Sequence, residues 1–274
     1  MPEADASFFS TRDTPGDVTG FWASRTNEYA RHRPAYPDQA VRVVLDGFAP
    51  PAMVIDVGSG TGILSRLLAR HGARVIAIEP GQAMRRAAAE AEQREPLGID
   101  YRDGRAEATG LPDGFAHIVT CAQSFHWFDA PRALAEFHRI LRPGGRLALL
   151  WNVREPGDAP AEWFERVVRR AQDAAEAAGR IVRRERAADP ARTGHFINVR
   201  RLRFRNDAIY TLEGLLGRAR SSSYWPDPGP WREELEADLI ALHAAHRSGD
   251  AVTLAQVCEV TLADRADRVG MAAS

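Results

Sequence analysis

Cysteine is almost missing from this chain. Cys121 and Cys258 are the only two, too few to supply a metal site by themselves, and such scarcity is the habit of a reducing, intracellular compartment. A surplus of one charge is missing too. With 36 basic and 37 acidic residues the net charge is −1, so no global field draws the protein to nucleic acid or to an anionic membrane. No apolar run approaches the roughly 18 residues of a membrane span. The N-terminal stretch holds Glu3 and Asp5 and no apolar run, so no signal peptide is visible. Internal repeats are absent. Together these absences predict a cytoplasmic protein without a metal, a membrane partner or a nucleic-acid partner.

What is present is a core. Of 274 residues 45% are hydrophobic, enough for one large domain or a domain with a cap. From residue 52 the pattern predicts alternating elements: strand Ala52–Val57, helix Thr61–His71, strand Arg74–Glu79, helix Gly81–Glu92, strands Ile99–Asp103 and Ala116–Cys121, helix Pro131–Leu141, strand Arg146–Asn152. Leu64, Leu67 and Leu68 make one apolar helical face, and Leu134, Phe137, Ile140 and Leu141 another. Such alternation predicts an α/β fold with a doubly wound, mostly parallel sheet.

Ahead of this core the pattern predicts a poorly ordered lead over residues 1–18. A short helix from about Val18 to Arg31 follows, and after Pro34 and Pro37 a second over Asp38–Phe48. Beyond Asn152 the pattern changes. Pro156, Gly157 and Pro160 mark a linker, helices are expected at Glu162–Ala178, Leu212–Arg220 and Trp231–Arg247, and strands at Val199–Arg205 and Ala251–Leu262. Residues 19–264 read as one domain: a helical cap at 19–50, a cofactor-binding core at 51–152, and a C-terminal half at 153–264 with helical insertions and closing strands. Residues 265–274 read as a tail.

The core carries the most specific signal. Val54-Ile55-Asp56-Val57 runs into Gly58-Ser59-Gly60-Thr61-Gly62, and the next strand ends in Glu79-Pro80. Glycines let the backbone turn tightly and approach a ligand, and a carboxylate at the next strand's end can hold ribose hydroxyls, so this is a slot for an adenosine-containing cofactor. A dinucleotide site needs a third glycine where this chain has Ile63 or Ser65. That departure favours a ligand without a pyrophosphate, S-adenosylmethionine, over a nicotinamide cofactor, which stays as an alternative.

Five segments in order extend the signal: Val54–Gly62; Ile78-Glu79-Pro80-Gly81-Gln82-Ala83-Met84; Gly104-Arg105-Ala106-Glu107 with Leu111-Pro112-Asp113; Ala122-Gln123-Ser124-Phe125-His126-Trp127-Phe128-Asp129; and Leu141-Arg142-Pro143-Gly144-Gly145-Arg146. Tyr29-Ala30-Arg31-His32-Arg33-Pro34-Ala35-Tyr36-Pro37 precedes them. Over about residues 20–262 the chain resembles the seven-stranded, Rossmann-like S-adenosylmethionine-dependent methyltransferases, in particular the small-molecule branch with the ubiquinone/menaquinone-type and trans-aconitate-type enzymes.

The resemblance implies a seven-stranded sheet with an antiparallel last strand, helices capping the cofactor edge, and roles by position. Asp56, Gly58, Ser59, Gly60 and Gly62 would form the donor loop, and Glu79, followed by Pro80, would accept the ribose hydroxyls. Met84, Arg105, Ala106 and Glu107 would lie by the adenine, and Gln123 and Ser124 beside the sulfonium. Arg33 would pair with the donor carboxylate, its fork matching that group. Trp22, Tyr29, Tyr36, Phe125 and Trp127 are expected as pocket walls, and Arg220 and Tyr224 as contacts to an acidic or phenolic acceptor. His126 is the candidate general base, because imidazole titrates near operating pH. The product would be S-adenosylhomocysteine, and the acceptor a small molecule that the sequence does not identify. A non-methylating member, a cyclase or a donor-binding protein, is the other reading. Amino-directed DNA methylation is disfavoured, since Ala122-Gln123-Ser124-Phe125 stands where those enzymes carry an Asn/Asp-Pro-Pro-aromatic run.

Overall fold

Met53–Val57 (β1) is buried at four of its five positions and Arg74–Ile78 (β2) at four of five, the continuous burial of strands covered on both faces. In the computed structural model, which describes residues 25–180 and 189–267, these strands lie inside a seven-stranded sheet of order β3-β2-β1-β4-β5-β9-β6. The others are Asp100–Arg102 (β3), Ala116–Ala122 (β4), Leu141–Arg154 (β5), Phe196–Arg205 (β6) and Gln256–Arg265 (β9). β1 pairs in parallel with β2, setting Val54 opposite Val75, and with β4; β2 pairs in parallel with β3, and β4 with β5. The strands near the end of the chain run antiparallel. The chain fills one side of β1 with β2 and β3 before crossing to β4, so the order reverses at β1, the kind of point beyond whose strand ends open α/β sheets bind ligands.

The chain divides into two compact units, and the sheet belongs to the one made of residues 35–152, 184–205 and 258–274. Alternate strand residues feed two layers. Ile55, Val57, Ile76, Ile78, Leu147 and Leu149 pack on one face, where Ala130–Ile140 (the helix α5) contributes Ala133, Leu134, Phe137 and Ile140. Val54, Val75, Ala77, Ala148 and Leu150 pack on the other with residues of Asp38–Leu45 (α2) and Ile63–Arg70 (α3). α5 starts where the sequence allows: Asp129 caps it through the Arg132 N–H, with Pro131 in its first turn. Gln82–Arg94 (α4) follows β2. Arg142-Pro143-Gly144-Gly145, between the expected helix and the expected strand, bulges within β5, so that Ala116 faces Leu141 while Ile118 faces Arg146.

The other unit, whose described residues are 25–34, 153–180 and 206–257, contains Thr26–His32 (α1), Ala159–Ala177 (α6), Leu212–Arg220 (α7), Pro230–His246 (α8) and an antiparallel pair, Ala208–Thr211 (β7) with Ala251–Leu254 (β8). Its core holds Phe164, Val167, Val168, Leu215, Leu235, Leu239, Val252 and the fully buried Trp225. α1 lies tight on α7: a Cβ at Gly217 would come within 2.2 Å of the His32 ring.

One expected element divides. The single closing strand at 251–262 is two strands, β8 pairing with β7 and β9 in the large sheet. Ala255 separates them because its backbone is engaged elsewhere: its carbonyl accepts from Glu155 N–H and its N–H donates to Asp158 Oδ2. The expected lead, most of the first helix, Trp22 and the end of the tail lie outside the described residues.

Candidate functional site

The loop after β1 is shaped by three left-handed glycines, Gly58 (φ 66°), Gly60 (φ 56°) and Gly62 (φ 75°), a conformation that side-chain-bearing residues adopt only under strain. At Gly58 close approach adds a second reason, since a Cβ there would sit 2.6 Å from Ser124 Cβ and 2.9 Å from Phe128 Cζ. Ser124 lies against the loop because its Oγ donates to the Val57 carbonyl at 3.1 Å. The Gly58 and Ser59 N–H groups donate to the Ile78 carbonyl, tying loop to β2.

Glu79, 8% exposed, follows β2 directly. Its Oε2 accepts the Gly60 N–H at 2.9 Å and its Oε1 the Gly81 N–H at 2.8 Å. Burial pushes this carboxyl above its usual range, opposed by the two backbone donors. Each oxygen keeps acceptor capacity for a further donor. Pro80 carries the chain from Glu79 to Gly81, against which Met84, 3% exposed, packs.

Asp56 faces inward. Its Oδ2 accepts from Ser65 Oγ at 2.5 Å and its Oδ1 from Thr120 Oγ1 at 2.8 Å. Burial raises its carboxyl to about 6 against those hydroxyls, with Glu79 nearby adding to the rise. Asp56 thus fixes the strand end behind the loop and is a positioning residue. After β3, Ala106 is buried while Arg105 is exposed, and Glu107 Oε1 accepts the Asp129 N–H at 2.8 Å. After β4, Gln123 takes a left-handed φ of 58°, an outlier of the kind that marks functional sites. It is held by its N–H on the Leu150 carbonyl and its Nε2 on the Asn152 carbonyl.

Phe125, His126 and Trp127 form one 3-10 turn. His126 is half-buried, its ring centroid 5.0 Å from that of Trp127 and 5.3 Å from that of Trp151. Phe125, expected as a pocket wall, is instead core: it is 1% exposed and packs on Phe128 and Phe137. Tyr36, also expected as a wall, is buried in the layer with Ala40 and Val41.

Four expected residues belong to the other unit. Arg33 stacks over the Tyr29 ring at 4.6 Å, and Tyr224 packs near Trp231 and Ala175. Arg220 is not open to an acceptor: it grips Glu236 with both arms, at 2.9 and 2.6 Å. A doubly hydrogen-bonded carboxylate satisfies that fork.

Two residues escaped the sequence reading. Thr61 Oγ1 is buried without a hydrogen-bond partner, as is Ser59 Oγ; a hydroxyl inside a glycine loop was the available signal. Trp151 stacks on His126 and, with Leu149, Arg201, Arg203, Glu259 and Thr261, lines a cavity of about 290 Å³. Nothing in a β5 tryptophan announces that from sequence. Among the described residues no cluster of His, Cys, Asp or Glu could hold a metal ion, and no helix is long and apolar enough to cross a membrane.

Residues 55–149 match the methyltransferase domain family. An uncharacterized methyltransferase of Mycobacterium bovis is 37% identical over 139 residues, which cover 51% of this chain and 55% of that protein. A ubiquinone biosynthesis O-methyltransferase of Pseudomonas paraeruginosa is 36% identical over 106 residues, 38% of this chain and 45% of that one. The chain thus spans about half the length of the curated relatives it matches. A solved structure, a candidate type II methyltransferase from Anaeromyxobacter dehalogenans, superposes with a TM-score of 0.54 at 25% identity, covering 86% of this chain and 98% of that one. The YcgJ protein of Bacillus subtilis shares the fold at a TM-score of 0.52 and 13% identity, over 85% and 100% of the two chains. Residues 55–149 thus make up, on a seven-stranded Rossmann-like sheet, a segment that matches the methyltransferase domain family.

Proposed function

We propose that the chain transfers a methyl group from S-adenosyl-L-methionine to a small organic acceptor. The observation that carries the donor assignment is the pair of buried hydroxyls, Ser59 Oγ and Thr61 Oγ1, left without protein partners in a loop whose Gly58 has no room for a side chain. Buried polar atoms without partners are rare and ask for an explanation; a polar ligand against the loop supplies one. Glu79, at the tip of the next strand with acceptor capacity to spare, suits a ribose diol. Ile63 and Ser65, the latter bound to Asp56, stand where a dinucleotide would need a glycine.

Held along the Gly58–Gly62 loop and by Glu79, the donor would supply an electrophilic methyl group on a sulfonium, with S-adenosylhomocysteine as the leaving group. This chain's residues align and dehydrate that step. Gly58 and Ser124 set the loop wall, Gln123 is fixed at the end of β4, and alignment alone can provide several kcal/mol of the barrier reduction. His126, between Trp127 and Trp151, is placed to take the acceptor's proton in a low-dielectric aromatic setting.

The test is transfer of labelled methyl from donor to a panel of oxygen, nitrogen and carbon acceptors. Methylated product from wild type is expected, with His126→Ala losing turnover by about a hundredfold while S-adenosylhomocysteine affinity is retained. Donor binding without transfer to any acceptor would favour the non-methylating reading, and full turnover in His126→Ala would remove the base.

A further inference from the structure

Several arginines of this protein answer to a carboxylate. Arg70 pairs with Glu95, Arg139 with Glu136 and Asp113, Arg154 with Glu165, and Arg220 and Arg232 with Glu236. Even Arg25, held mainly by the Arg220, Ser222 and Trp225 carbonyls, has Asp227 at 3.7 Å. Arg33 and Arg218 do not, and Arg33 is the one whose Nε is buried. Among the described residues neither has a carboxylate within ion-pair distance, yet the two are close enough for each charge to oppose the other.

Both are held in place. Arg33 Nη2 donates to the Ser221 carbonyl at 3.3 Å and Arg218 Nη1 to Ser222 Oγ at 3.0 Å, adjacent serines at the end of α7. Beneath Arg33 lies the Tyr29 ring, and Tyr224 and Tyr210 are within electrostatic reach. Arg33 Nε is buried and has no hydrogen-bond partner. Burial brings this guanidinium down to about 10, so it remains charged at neutral pH. Two positive charges with a buried, unused donor and no counter-charge are costly, and a bound anion offsets that cost.

We propose that Arg33 and Arg218 form an oxyanion site of the helical unit that holds an organic acid or a phosphorylated compound. It also moves Arg33 away from the donor's carboxylate. The amino-acid end of the donor is a zwitterion, and its ammonium would meet two guanidinium groups with no described carboxylate beside them. An organic anion brings no such positive charge. The planar fork of Arg33, with Nε open, matches two oxygens of one acid group.

The test uses the full chain and calorimetric titration with benzoate, succinate, citrate and phenyl phosphate, with benzamide and succinamide as neutral controls. At least one anion is expected to bind while the amides do not, and relative affinities for the carboxylates and the phosphate identify the acid group. Arg33→Met and Arg218→Met should each weaken that anion by about tenfold or more. Arg33→Lys, which keeps charge and loses the fork, should fall between. S-Adenosylhomocysteine and methylthioadenosine should bind all variants within about twofold of wild type, which tests the donor reading separately. The proposal is overturned if no anion binds, if the amides bind equally, or if the variants hold anions as wild type does. A drop in S-adenosylhomocysteine affinity with methylthioadenosine unchanged would also overturn it, returning Arg33 to the donor. Should Arg33→Met fail to fold, Arg218→Met and Arg33→Lys decide the question.

Discussion

The two units mirror each other in what they leave uncompensated. In the sheet unit the buried charges are acids, and Asp56 and Glu79 are satisfied by hydroxyls and backbone N–H groups, with no guanidinium at ion-pair distance among the described residues. In the helical unit Arg33 and Arg218 lie close enough to oppose each other and have no counterion among the described residues. All 36 basic residues of the chain are arginine, so each such cation is a planar fork. Neutral donors around an acid suit a ligand rich in hydroxyl and amine donors, and bare arginines suit an anion. The donor site and the anion site proposed above thus differ in the charge each offers a ligand.

The largest expected effect breaks the sheet unit. Gly58→Val adds left-handed strain and a clash with Ser124, and should cost roughly 2–5 kcal/mol of stability in denaturant unfolding. Gly72→Ala, also at positive φ but with nothing within 4 Å of a Cβ, should cost only about 1 kcal/mol. Similar losses at the two sites would deny that loop closeness matters.

Next comes pH. Asp56 binds protons more tightly folded than unfolded, with a folded value of about 6 against an ordinary 3.8. Between those values the native state holds the extra proton, so this group's contribution to stability falls as pH rises from about 4 to 6 and is flat above. The swing is up to about 3 kcal/mol, with Glu79, also raised, adding in the same direction. Asp56→Asn should flatten that part of a pH series of unfolding curves, and an unchanged slope would contradict the burial argument.

In the helical unit, Gly217→Ala forces His32 and α1 away from α7 and should destabilise by roughly 1–3 kcal/mol, seen as a lower melting midpoint, with donor affinity intact. Arg220→Ala removes one of two arginines on Glu236, so unfolding should show a loss of only about 1 kcal/mol. A loss of donor affinity in either variant would erase the separation between the units.

The sheet unit was largely legible in sequence because local physics writes it there. Buried parallel strands read as apolar runs, and glycine marks each tight turn after β1. The closing strand was not legible. Val252, Leu254, Gln256, Cys258, Val260 and Leu262 are all buried, so an unbroken period of two runs through the point where β8 ends and β9 begins. Only the hydrogen bonds at Ala255 make the division. Local geometry was legible where backbone dictates residue type, as at Gly58 with its left-handed φ. It was not where a partner far along the chain decides, as with Glu236 capturing Arg220, α5 enclosing Phe125, or Trp151 reaching His126.

The most direct measurement is calorimetric titration of wild type and Glu79→Ala with S-adenosylhomocysteine, alongside NADH. Wild type should bind the nucleoside and not NADH, and the variant should lose about a hundredfold in affinity with the two ribose hydrogen bonds to carboxylate. Equal affinity in variant and wild type, or a preference for NADH, would contradict the account.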